Sequence, residues 1–465
     1  MEMRCKMEVI LMPAASEKKN RMIIIAIILF LFGLCIRLLY YSALDQILIY
    51  PDSAEYLITA DRIRRLELHS TRVPIYPLFI VISQNLLFFL DSVTAVIFVQ
   101  AIISSAAAVL LFIAAYKIFG SKIKAILFFL FWSVSVCVIN WDFLVLTESI
   151  TIVYMILLIF FFIVYMQKKK EAYSIIIYAI CFALLFTKPF YIALPPVIAA
   201  IILILAKISG DWKRTAVITL ISLTVMYLSV FAYSFANYKQ TGYFGISNVS
   251  VINRFGKILQ YGMYELEDNE KITAYIKQYM KDNEGELPIP VQFINDYDLN
   301  DNNYSEISEY VSKIIKEHPI VFLKETVKLV TKKLYKEEVF VDYNHVYNND
   351  NYIKEWPVHL FKYVNDIEFI NTFRFLLIIL FIDIFFIIYS IVKKKKLAYF
   401  WLMAFLLVAY QFSMSVAGAH DEYHRLMAPS YVFIFLIIFK YIFVIADYAS
   451  RLPGYLREKL SDSNN

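Results

Sequence analysis

The feature that most constrains this chain is the recurrence of apolar runs long enough to cross a lipid bilayer. A helix rises 1.5 Å per residue, so about 17–25 apolar residues bridge a hydrocarbon core ~30 Å thick. Runs of roughly that length stand at 22–42, 93–116, 124–140, 149–166, 173–187, 190–206, 214–235, 371–392, 397–417 and 427–447. Of 465 residues, 60% are apolar and only 18% are charged, where soluble domains carry about a quarter charged. A soluble globular enzyme, a disordered chain and a collagen-like fibre are excluded. The net charge of +5 is too mild to point to a nucleic-acid partner. Four cysteines (Cys5, Cys35, Cys137 and Cys181), none of them in the polar stretch 236–370, give neither a disulfide framework nor a zinc site.

One further apolar run, 74–90, is resolved by the distribution of lysine and arginine. If it does not span, ten helices leave both termini in the cytoplasm. The inner loops then carry Lys117, Lys122 and Lys124; Lys168 to Lys170; Lys207, Lys213 and Arg214; and Lys393 to Lys396. If it does span, every one of those loops flips outward. The run is therefore read as a re-entrant or interfacial segment on the outer face. The expected fold is all-α and integral to the membrane. It has about ten transmembrane helices, outer-face interfacial helices and an extracytoplasmic insert. The divisions are a cytoplasmic head 1–21, a transmembrane core 22–235 with an outer loop 43–92, an extracytoplasmic region 236–370, transmembrane helices within 371–447 and a cytoplasmic tail 448–465. The first apolar run lacks a small-residue cleavage site and reads as an uncleaved anchor. The expected location is the plasma membrane, multi-pass, with the active site facing outside. Within 236–370, residues 265–303 read as a solvated surface or loop. Residues 303–340 read as helical, broken at Pro319, with Val321, Leu323, Val327, Leu329 and Leu334 alternating with lysines as on a surface-lying helix.

This topology collects the unusual polar residues at the outer leaflet. They are Asp45, Asp52, Glu55 and Asp61 in the first loop; Trp141, Asp142 and Glu148 at the 140–148 corner; Lys188 beside Pro189; and His420, Asp421, Glu422, His424 and Arg425 in the last loop. Ionisable groups facing a membrane cavity are functional candidates because lipid makes them expensive. Each has a plainer alternative. Arg62, Arg64 and Arg65 form a solvated or headgroup-facing face. Asp142 sits in water at a loop tip. Glu148 complements a helix dipole. Lys188 snorkels to headgroups. Asp52, after Pro51, caps a helix. His420 and His424 lack a third metal ligand.

A carboxylate with several cations in such a cavity suits general-base attack by a hydroxyl, with the cations holding a lipid phosphate as leaving group. Tyr56, Tyr76 and Tyr423 offer faces to a sugar, and the run 74–90 offers a bed for a prenyl chain. The same inventory also suits lipid flipping. The first loop reads YPDSAEYLITADRI and then HSTRVPIYPLFI. LTES follows at Glu148, LLFTKPFYIALP at Lys188, KEHPIVFLK at His318 and HDEYHRLMAPSY at the end. In that order these segments resemble the GT-C class of polytopic glycosyltransferases, near the aminoarabinose transferase and protein O-mannosyltransferase group. The likeness covers about 22–235 and the last three helices, and not 240–300.

The resemblance implies a polyprenyl-phosphate sugar donor, an inverting transfer to an extracytoplasmic lipid, glycan or protein hydroxyl, and Asp52 as the catalytic acidic residue. It implies that Arg72 contacts the donor phosphate. Lys188 and Arg425 join it as phosphate ligands, and Glu55, Tyr56, Tyr76, Glu148, Glu422, Tyr423 and His424 are expected to position substrates. The family's Asp-Glu pair is Asp52-Ser53 here, so no metal and no other cofactor is expected. A transporter or flippase of lipid-linked saccharide is the alternative, disfavoured by charges gathered on one face and by the lack of a repeat. A transferase-like scaffold without activity is the third reading.

Overall fold

The structure is a computed structural model, and it describes residues 16–44, 47, 49–67, 71–210, 212–267, 270–296, 303–336, 373–395, 397–418 and 423–462. Among these residues all regular structure is helical. The first half comprises α1 (Ser16–Ala43), α2 (Pro51–Arg64), α3 (Ile75–Leu86), α4 (Ser92–Phe119), α5 (Lys122–Val134), α6 (Val136–Ile139), α7 (Glu148–Lys168), α8 (Glu171–Thr187), α9 (Leu194–Ser209) and α10 (Trp212–Thr241). Then come α11 (Val249–Gln260), α12 (Lys271–Asp282), α13 (Pro290–Asp296), α14 (Asn303–Glu317) and α15 (Pro319–Lys336). Last are α16 (Phe373–Val392), α17 (Ala398–Gly418), α18 (Tyr423–Met427) and α19 (Tyr431–Asp462).

Seven of the described helices are long and apolar enough to cross a membrane, and α5 with α6 makes an eighth if that bent pair is one span. The chain is thus an all-α multi-pass membrane protein. Two of the ten expected runs fall short. The 173–187 run becomes α8, and the described apolar part of 371–392 covers Ile378–Val392. A helix of 17 residues, as in α8, is about 25 Å long, slightly less than the hydrocarbon core. The run 74–90 forms only the 12-residue α3, which packs against α2, α4 and α8. It is too short to span.

Helix ends follow local chemistry. The Asp91 carboxylate accepts from the backbone N–H groups of Val93 and Thr94 at 3.1 and 3.0 Å, starting α4. Gly120 ends it in the left-handed region at φ 67°. Between α5 and α6 the chain bends by 59° at Ser135, whose extended backbone interrupts the helix. The bend turns Asn140–Phe143 into the bundle. All four residues there are buried, so the plainer alternative for Asp142, water at a loop tip, does not hold.

One continuous apolar core joins α1, α4, α5, α7, α8, α9, α17 and α19, centred on Trp132, Phe128, Phe162 and Tyr431. A second core, built from Val251, Phe255, Ile276, Ile294, Ile307, Val311 and Ile314, holds α11 to α14 together. The stretch 265–303, expected as a solvated surface or loop, therefore contains α12 and α13. Ile272, Ile276, Phe293 and Ile294 bury one side of these helices, while Asp282, Glu284, Glu286 and Asp296 are exposed. The break at Pro319 occurs as read, with proline opening α15 where its missing N–H costs nothing.

Candidate functional site

Five separate elements deliver charge to one place. Pro51 at the first position of α2 starts that helix with Asp52 in its first turn and Glu55 one turn on. Arg72 lies on the connector to α3. Glu148 opens α7 and Lys188 follows α8, so this antiparallel pair brings both to the same end of the bundle. Arg425 comes from α18, more than 370 residues after Asp52.

Arg72 reaches two carboxylates. Its Nη2 donates to Asp52 Oδ1 at 2.5 Å and its Nε donates to Glu55 Oε2 at 2.7 Å. Arg425 Nη2 donates to the other Asp52 oxygen, Oδ2, at 2.7 Å, and Arg425 Nε lies 3.3 Å from Glu148 Oε1. Lys188 Nζ donates to that same Glu148 oxygen at 2.8 Å. Three cations and three carboxylates thus form one chain of contacts, Glu55–Arg72–Asp52–Arg425–Glu148–Lys188. Exposure is graded along it. The Glu148 side chain is 1% exposed, while those of Asp52 and Glu55 are 26% and 37% exposed. The cluster therefore opens to its surroundings on the α2 side.

The two guanidinium groups hold the Asp52 carboxyl down to about 2, against a burial that alone would raise it. Against its burial, Tyr56, Asp52 and Glu55 together push the Arg72 guanidinium up, so it stays charged throughout. Glu148 sits at a helix N-terminus, where the macrodipole favours a carboxylate. Its burial demands the cationic partners it has.

Two of the three tyrosines expected at the substrate are packed into the fold. The Arg72 guanidinium lies 4.6 Å from the centroid of the Tyr56 ring. Tyr76 meets Tyr56 edge-on at 4.9 Å and is fully buried, its hydroxyl donating to Gln100 Oε1 at 2.8 Å. Neither offers a free face to a sugar. Tyr76 supports Tyr56, and Tyr56 supports Arg72. Glu422 lies outside the described residues, as do His420, Asp421 and Asp45, and α18 carries Tyr423 and His424 in its backbone. Arg64 pairs with Asp61 at 2.7 Å on the exposed face of α2, the plain reading given for it.

Two buried ion pairs escaped the sequence reading. Arg37 in α1 donates from Nε to Asp142 Oδ2 at 2.7 Å and from Nη2 to Ser104 at 2.8 Å, while Ser149 donates to Asp142 Oδ1 at 2.5 Å. Lys440 in α19 pairs with Asp383 in α16, and Tyr441 donates to the same carboxylate oxygen at 2.9 Å. Their signal was present as single charges inside the apolar runs LCIRLLY, LFIDIFF and IIFKYIF.

Glu267, Glu317 and His318, away from the Asp52 cluster, bring possible metal donors within 4.8 Å of one another. The Lys313 ammonium bridges Glu267 and Glu270 there at 3.1 and 2.7 Å, so the group is accounted for as an ion-pair network. Cys35, Cys137 and Cys181, the described cysteines, are not joined in disulfides. No protein-family model matches this chain, and no match is found among curated proteins.

Proposed function

We propose that this chain is a membrane glycosyltransferase of GT-C type. It transfers a hexosyl or pentosyl group from a polyprenyl-phosphate donor to an extracytoplasmic hydroxyl, with inversion at the anomeric carbon. The observation that carries the reading is the setting of Asp52: a partly exposed carboxylate with a guanidinium on each oxygen and a third cation two contacts further along. Lysine-rich loops at the opposite ends of the apolar runs support an outward-facing site in a plasma membrane, with ten spans when α8 and α16 are counted.

In the reaction Asp52 takes the proton of the acceptor hydroxyl, and the oxygen attacks the anomeric carbon. The bond from that carbon to the phosphate oxygen breaks, and its electron pair leaves with the phosphate. Arg72, Arg425 and Lys188 are placed to stabilise the charge that develops there. Both Asp52 oxygens are engaged before substrate arrives, which makes the carboxylate a weak base. A donor phosphate competes for the same arginines. As an arginine turns to the phosphate, it releases an Asp52 oxygen and restores basicity. The donor thereby prepares the base that activates the acceptor.

The test is a transfer assay in proteoliposomes with radiolabelled polyprenyl-phosphate hexoses and a cell-envelope extract. Replacing Asp52 by Asn is expected to lower label transfer by roughly 10²–10⁴-fold, the usual loss of a general base. Equal transfer by both proteins removes Asp52 from the chemistry. The buried Asp383–Lys440 pair favours a second reading, movement of a lipid-linked saccharide, because charges deep in a bundle mark many transport paths. That reading expects label to change sides of the vesicle with its phosphate–sugar bond intact.

A further inference from the structure

Helix α15 (Pro319–Lys336) presents three different faces. Phe322 and Thr326 turn toward their own unit, where the Phe322 ring lies 5.7 Å from that of Tyr261 and the Tyr261 hydroxyl donates to Thr326 at 3.2 Å. Ile320 and Leu323 point away and are 80% and 63% exposed, with Val327 continuing the stripe at 55%. The same register passes through Val330 and Leu334 in the sequence. Lys324 and Lys328 are exposed along the edge of that stripe, and Lys332 and Lys336 extend the row at four-residue steps. The helix packs against α16 and α17, two of the apolar membrane helices. The helix therefore lies beside apolar helices, one of them long enough to cross a membrane.

We propose that α15 is an interfacial docking helix for anionic phospholipid. Ile320, Leu323 and Val327 enter the acyl boundary of the leaflet, and Lys324 and Lys328 meet its phosphates. The physical basis is the usual one for a helix that lies in the membrane plane: an apolar stripe inserts, and flanking lysines snorkel to negative headgroups. Two details of the structure favour lipid as the occupant. The helix that carries the stripe packs beside apolar helices, and its cationic edge complements a negative surface. The consequence reaches the Asp52 cluster, because α15 follows directly on α14. The start of α14 carries Tyr304, which lies within electrostatic reach of Glu55. Docking holds the unit to which α14 belongs, with Tyr304 on the side of Glu55. The inference is independent of the sugar chemistry proposed above.

The experiment uses the full chain with its native cysteines replaced, carrying Leu323→Cys or Lys324→Cys and a nitroxide label. The protein is placed in nanodiscs of phosphatidylcholine alone or phosphatidylcholine with phosphatidylglycerol. Collision rates with oxygen and with a water-soluble nickel complex report depth. In the anionic discs, the label at 323 is expected in the acyl boundary and the label at 324 in the aqueous headgroup layer. Adding Lys324→Glu and Lys328→Glu to the 323-labelled chain is expected to lower the docked population by at least about fivefold, the worth of a single lysine at an anionic surface. Both substitutions lie on the exposed face, so the fold is retained, and elution as a monodisperse protein checks this. Equal water accessibility at 323 and 324 overturns the proposal. Shielding at 323 that ignores lipid charge and the lysine reversals also overturns it, and assigns the stripe to residues 337–372 or to a second copy of the chain.

Discussion

A carboxylate gripped by two guanidinium groups has a definite acid signature. Asp52 is held at about 2 where an ordinary aspartate titrates at 3.8. The folded chain binds this proton less readily than the unfolded chain does. Its contribution to stability is therefore complete above the ordinary value and is lost as pH falls through the folded one. Difference infrared spectra, wild type minus Asp52→Asn, are expected to retain the Asp52 carboxylate band down to about pH 2. A donor analogue carrying a prenyl phosphate is expected to move that titration upward, because it draws an arginine away. A band that titrates in the ordinary range without ligand removes the double clamp.

Arg37 and Asp142 form an ion pair whose side chains are 0% and 2% exposed. Removing one member of a buried pair leaves the other charge unpaired and costs about 3–5 kcal/mol, whereas an apolar replacement of both is often near neutral. Arg37→Met and Asp142→Leu are each expected to lower the thermal midpoint sharply, with the double variant recovering most of the loss. Additive losses show that the two residues do not act as a pair.

At the scale of elements, the bend between α5 and α6 decides what the 140–148 corner does. A straight helix through Ser135 leads to a loop outside the bundle. The observed turn places Asn140 against the Tyr40 hydroxyl at 3.1 Å and lets Gln100 donate to the carbonyls of Asp142 and Leu144 at 3.0 and 2.9 Å. Trp132, just before the bend, is fully buried. Trp132→Ala is expected to cost about 3–5 kcal/mol through the cavity it leaves. Denaturation in a defined detergent measures this, and a loss under about 1 kcal/mol shows that the region collapses into the space. Apolar periodicity revealed α4, α7, α9 and α17 directly, because burial in lipid and in a helix core both select long apolar runs. It missed α12, where Ile272, Thr273 and Ile276 bury one face of an otherwise polar helix.

At the scale of the whole molecule, a buried lysine links the unit built from α11 to α14 to the helix bundle. Lys257 of α11 is fully buried and donates to the Val416 carbonyl near the end of α17. Burial pushes its ammonium down from 10.5 to about 8. Between those values the unfolded chain holds more protons than the folded one, so the folded attachment gains stability as pH rises through that window. Limited proteolysis between α10 and α11 is expected to slow over this range in the wild type, and to lose the dependence in Lys257→Met. Proteolysis that accelerates with pH in the wild type contradicts the assignment. Ser247 makes a second link, donating to the Thr71 carbonyl beside Arg72 at 2.6 Å.

The sequence by itself determined that this protein lives in a membrane, that its structure is helical, and that Asp52, Glu55, Glu148, Lys188 and Arg425 are ionisable groups costly to leave at a membrane face, with Arg72 singled out through the family resemblance. Those conclusions depend on transfer free energies, which are properties of residue types and spacing. Only the tertiary structure decided who pairs with whom. Arg72 and Arg425 are separated by hundreds of residues, yet they take opposite oxygens of one carboxylate. Tyr56 and Tyr76 both looked available, and helix packing buried both. Asp142 looked solvated, and a 59° bend placed it under Arg37. Pairing depends on distances between elements, and helix packing sets those distances after the local pattern has been satisfied.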